Sequence, residues 1–198
     1  MGHRHRIALL VIAAAVLSSI ALAETTRLVP WTEDVRLTWN DFRGAVPSSA
    51  PSNDIAAIHM ELKWHARLKW ESTGGSWVGS TVQVIASNVM NPELSWARHD
   101  RVTEDGLRHE IYHFHLSEVY RRKLEAALLA VRVCGRTAEE TKDFLDRKVH
   151  EVADSWLLRA EAMQETYETE TEHGTNAAAQ RSWEAKIDAW LADPSFGP

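Results

Sequence analysis

Cysteine is nearly absent. Cys134 is the one thiol in 198 residues, so no disulfide within the chain can form. Stability has to come from an ordinary core, with any bound metal adding what it gains by preferring the folded state. Positive charge is also in short supply, with 22 Lys and Arg against 28 Asp and Glu. That balance gives nucleic acid no reason to bind. Internal repeats and low-complexity tracts are missing. The apolar run from Ile7 to Leu22 falls short of the roughly 20 residues a membrane-spanning helix needs.

That run is instead the middle of a targeting pattern. Arg4 and Arg6 precede it and the small-residue site Ala21-Leu22-Ala23 follows it, so residues 1–23 read as a signal peptide cleaved before Glu24. The alternative is that the run stays as a membrane anchor, which its length and Ala-x-Ala ending disfavour. No cysteine stands beside the cleavage site to carry a lipid. The expectation is an exported protein, periplasmic or extracellular, with no stable membrane span after cleavage. Residues 24–198 suit one domain. Removing Arg4 and Arg6 from the 22 basic residues leaves 20 against 28 acidic, a net charge of −8, which keeps such a protein dissolved.

From Ile58 the apolar residues alternate. Ile58, Met60, Leu62, Trp64, Ala66, Leu68 and Trp70 share one face, and His59, Glu61, Lys63, His65, Arg67 and Lys69 share the other. Period two over residues 58–70 predicts strand, with Leu62, Trp64 and Leu68 inside. Ser72 to Ser76 is a turn signal, and Trp77 to Met90 resumes a β-rich pattern, which predicts an antiparallel hairpin ending at Asn91-Pro92. Thr103 can cap a helix from Glu104 to about Val133, closed by Gly135. Thr137 and Glu140 form a capping-box pattern that opens a second helix reaching the Tyr167 to Gly174 region. A third helix is expected from about Asn176 to Leu191. The fold class is therefore α+β, a small antiparallel sheet packed on the first helix, with further helices completing the core.

His109-Glu110-Ile111-Tyr112-His113 lies near the start of that first helix. Residues four apart stack on one helical face, so both imidazoles can reach one Zn²⁺ ion while the helix stays regular. Glu110 falls on the adjoining edge, where it can act as general base toward a water that the metal activates. The chemistry this spacing suits is hydrolysis of a peptide bond.

Four blocks carry a likeness that covers nearly the whole of residues 24–198. They are Leu37 to Gly44, Ser95-Trp96, Leu107 to Phe114, and Tyr167 to Gly174 with Gln180 and Trp183. In these the chain resembles a bacterial family of predicted secreted zinc-dependent proteases, a domain of unknown function with a zincin-like HExxH site. It departs from that family at Ile111, where Gln is usual, and at His115, where Asp is usual. Neither position supplies a ligand or the base. The resemblance implies a zinc metallopeptidase acting on a peptide or protein substrate.

A catalytic zinc takes three protein ligands and leaves one position for water. By resemblance the third is expected from Glu170 to Gly174, with His173 the preferred residue. Simple geometry points elsewhere. Two straight helices meeting near Gly135 place residues 158–162 opposite the motif, which includes Glu161, so Glu161, Glu168 and Glu170 remain alternatives. Tyr167 is a candidate hydrogen-bond donor to the developing oxyanion. His115, two residues past His113, should face away. Two rival functions stand beside the peptidase: a zinc-binding module that cleaves nothing, and an envelope protein binding glycan through exposed residues among its nine Trp.

Overall fold

The computed structural model describes residues 27–193, 196 and 197, so the expected leader at residues 1–23 lies outside the described residues. The alternating segment builds the two longest strands, β3 (Met60–Thr73) and β4 (Ser76–Met90), paired as an antiparallel hairpin. Gly74 and Gly75 form its tip with φ of 59° and 89°, a left-handed region where a Cβ is disfavoured. Leu62, Trp64, Ala66 and Leu68 pack toward the interior, and Lys63, His65, Arg67 and Lys69 are exposed. A register shift between Arg67 and Leu68 bends the hairpin. Beyond it Trp70 is exposed, the only Trp so placed among the described residues.

Three strands complete the sheets together with one more that the periodicity hides. β1 (Val29–Pro30) and β6 (Arg132–Gly135) both pair with β4, one at each end, opposite the edge taken by β3. β2 (Ala56–Ala57) and β5 (Trp96–Ala97) form a separate two-stranded ribbon. The fold is α+β, with antiparallel sheets and three α-helices among the described residues.

The first helix, α1 (Glu104–Leu129), begins at Thr103, whose hydroxyl accepts from the Gly106 N–H at 3.0 Å. It ends earlier than its apolar spacing suggests. Residues 132–135, expected as its last turn and closing glycine, are β6 instead. The cause is a competing pattern, because Val131 and Val133 alternate with polar residues and the open edge of β4 offers ladder partners at Trp77 to Ser80.

That substitution of strand for helix displaces α2 (Ala138–Glu170). β6 continues toward the hairpin tip, away from the start of α1. Four extended residues advance about 13 Å at roughly 3.3 Å each. A helix returning at 1.5 Å per residue spends about nine residues making up that distance. Residues 164–168, not 158–162, therefore arrive opposite His109 to His113.

Three clusters of buried side chains lie along α1. Leu124, Leu128, Leu145, Val149 and Val84 fill the end near the hairpin tip. Leu116, Val119, Tyr120, Tyr167, Trp183 and Ile187 join α1 and α2 to α3 (Ala177–Ala192). Leu37, Phe42, Met90, Ala97 and Phe114 tie the N-terminal segment to the same helix. Among the described residues no helix is long and apolar enough to cross a membrane.

Candidate metal centre and cleft

On α1 the two motif histidines stack as their spacing requires. Their Nε2 atoms are 3.1 Å apart, and both rings turn toward α2. His115 points elsewhere, accepting a hydrogen bond from the Trp31 indole at 2.9 Å. Glu168 supplies the third atom of the group. Its Oε2 lies 3.0 Å from His109 Nε2 and 2.9 Å from His113 Nε2. These three residues could hold a metal ion.

The second partners of the two rings decide what that point can accept. Gln164 faces His113 with both ends of its amide: the nitrogen donates to the His113 carbonyl at 3.0 Å, which leaves the oxygen for His113 Nδ1 at 2.7 Å. Gln180 is oriented in the same manner. Its nitrogen donates to Glu184 at 3.0 Å and to the Tyr167 hydroxyl at 2.9 Å, so its oxygen meets His109 Nδ1 at 3.1 Å. An amide oxygen only accepts, so both imidazoles carry a proton on Nδ1. Two Nε2 lone pairs and a carboxylate oxygen then converge without a donor among them. In that tautomer a metal ion satisfies the point, and so does a proton that turns either ring into an imidazolium donating from Nε2 to Glu168.

With a proton on Nε2 the rings become donors to Glu168. Burial opposes ionisation of Glu168, yet hydrogen bonds from the imidazoles hold its carboxyl well below the usual carboxylate range. Burial likewise disfavours a charged His113, and the Glu168 contact together with the negative charge of Glu110 overcomes it and raises its pKa. Glu110 is 7% exposed, and burial pushes its carboxyl up despite the nearby histidines. One of its oxygens, Oε2, accepts from the Ile58 N–H at 2.9 Å.

Several residues expected at the site sit one step away. His173 is not in the converging group; its Nδ1 contacts the other oxygen of Glu168, Oε1. Glu161 is exposed in a separate hollow beside Asp154 and Leu158. Glu170 accepts from the Trp183 indole at 2.8 Å. Tyr167 has no exposed surface, and its hydroxyl donates to the His109 carbonyl at 3.1 Å while its ring stacks on His109 at 4.9 Å. Facing no open space, it holds His109 in place and has no route to an oxyanion. Sequence reasoning missed Gln164 entirely. The signal available for it was its position four residues before Glu168, on the same helical face.

Two hollows open onto the group. One of 410 Å³ is bordered by Trp39, Asp54, His109, Glu110, Glu168 and His173, and one of 270 Å³ by Met60, Glu110, His113, Gln164 and Glu168. Ala56 and Ala57 of β2 border both. The N-terminal block supports that strand from behind. Gly44 donates to the Ser95 carbonyl at 2.7 Å and bridges Trp96, which pairs with Ala57. A Cβ at Gly44 would stand 2.8 Å from the Glu93 carbonyl oxygen, so no side chain fits there. Compared with known proteins, the chain matches no family model, no curated protein and no solved structure.

Proposed function

We propose that the chain is an exported, periplasmic or extracellular, zinc-dependent metallopeptidase with a zincin-like site, in which His109, His113 and Glu168 hold the ion and Glu110 is the general base. The observation that carries this reading is the convergence of two Nδ1-protonated imidazoles and a carboxylate on one point beside a buried acid. Three ligands of the N and O type suit zinc and leave a position open, as a catalytic site requires. Zinc bound there supplies the Lewis acidity that activates water and polarises a carbonyl.

The chain's own residues do the rest. Glu110 keeps one oxygen on the Ile58 N–H and has the other available at the boundary of both hollows, where it takes the proton from water. Its burial raises its basicity, which suits a general base. β2 has β5 as its one sheet partner among the described residues, so an extended peptide can lie along it with a hollow at either end of the scissile bond. The four sequence blocks that resemble the secreted protease family meet around this centre, which favours that family's fold and activity for this chain. Of the three Trp on the hairpin, Trp64 packs against the core, Trp77 is half-buried and Trp70 is exposed. A glycan-binding surface would therefore have one open ring there and no paired platform.

Glu110→Gln separates enzyme from metal-binding module. The variant is expected to keep its zinc and to lose on the order of 10²–10⁴-fold in peptide hydrolysis. Equal hydrolysis by both chains would remove Glu110 from the chemistry, and a wild-type chain that binds zinc but cleaves no peptide would leave the module reading.

A further inference from the structure

The turn after α2 is shaped in a way that holding a metal does not by itself require. Glu172, His173 and Gly174 are consecutive left-handed residues with φ of 50°, 56° and 76°. Residues with a Cβ adopt that region rarely, so two in succession persist only where the surroundings fix them. Here they are fixed. The His173 N–H donates to the Glu168 carbonyl at 3.0 Å and the Asn176 N–H to the Thr171 carbonyl at 2.9 Å. The Asn176 amide donates to the Glu172 carboxylate at 3.2 Å, and the Thr171 hydroxyl to the Tyr167 carbonyl at 2.7 Å.

The turn doubles the chain back onto two ligands at once. Gly174 presses its backbone against His109, where an added Cβ would stand 2.8 Å from the ring Cγ. His173 meets Glu168 Oε1 through Nδ1 at 2.5 Å. A carboxylate accepts and does not donate, so the proton of that bond belongs to His173. The two oxygens of Glu168 are thereby divided, Oε2 toward the histidine pair and Oε1 toward His173. An unrestrained carboxylate can swing and chelate an ion with both oxygens, which fills the position that water needs.

Resting on the metal reading above, we infer that His173 is a positioning residue: its Nδ1–H occupies Oε1 of Glu168 and presents Oε2 alone to the ion. The His173 side chain is 62% exposed, so removing its ring opens no cavity and the effect falls on the carboxylate.

Zinc affinity of the full chain, measured by competition with a chromophoric chelator, tests this in the wild type, His173→Ala and His173→Gln. The visible spectrum of bound Co²⁺ is recorded for each. The expected result is one ion per chain in all three, affinity lower by about 10–100-fold in His173→Ala, and a Co²⁺ spectrum altered in that variant. His173→Gln, which keeps an N–H donor, should recover most of both. Unchanged affinity and spectrum in His173→Ala would overturn the inference. So would complete loss of the ion in both variants, since that outcome makes His173 a ligand. A wild-type chain that binds no zinc would overturn the metal reading itself, before any variant is compared.

Discussion

A histidine ligates through whichever ring nitrogen its other partner leaves free, so the amides behind His109 and His113 matter as much as the rings. Gln180 is 3% exposed and joins His109, Tyr167 and Glu184 in one network. Gln180→Ala should weaken zinc binding by about 10–100-fold and lower folding stability by roughly 1–3 kcal/mol through the unpaired groups left behind; chelator competition and denaturant unfolding measure the two. Gly174→Ala carries a different cost. The alanine would sit at φ 76° with its Cβ in the His109 ring, so ring and turn must both move. We expect a loss of about 1–3 kcal/mol in stability, read by denaturant unfolding of the metal-free chain. At this scale the sequence was legible where chemistry is local. His109, Glu110 and His113 follow from a helical period alone. Glu168 stood among three carboxylates that nothing local could rank, and Gln164, a neutral side chain, announced nothing until its partner's position was known.

Elements decide that ranking. The hairpin was readable from strict alternation between Ile58 and Trp70, and each helix start from its Thr or Asn cap. What the pattern hid was β6, because Leu124, Leu128 and Val131 continue a helical spacing into a segment that the edge of β4 claims. Those four residues carry α2 about 13 Å past the end of α1, at roughly 3.3 Å per residue, and so select Glu168 over Glu161 as the carboxylate opposite the histidines. Gly135 is where β6 passes into α2, and a Cβ there would lie 2.3 Å from the Thr141 hydroxyl oxygen and 3.0 Å from the Thr141 amide nitrogen. Thr141 is fully buried. Gly135→Ala should therefore destabilise the chain by about 1–3 kcal/mol. It should also weaken zinc binding, although the substitution lies far along α2 from Glu168. A destabilised variant with unaltered zinc affinity would show that the register of α2 is set elsewhere.

Across the whole molecule the centre joins parts that are distant in sequence: α1, the far end of α2, the turn into α3, and β2 braced by the Gly44 and Ser95 contacts. No disulfide shares the task of holding them. An ion bound only by the folded chain adds stability of about 2.7 kcal/mol at a free concentration 100 times its Kd, so zinc should raise the unfolding midpoint and a chelator should lower it. This coupling could not be read from sequence, since the four blocks are spread over nearly the whole of residues 24–198 and acquire a common location only in the fold. The most direct test is the zinc content of the full chain and of His113→Ala and Glu168→Ala, each purified and equilibrated with the same free zinc. The account predicts one tightly held ion per wild-type chain and loss of that ion in both variants. A wild-type chain without zinc, or Glu168→Ala retaining zinc at wild-type affinity, would contradict it.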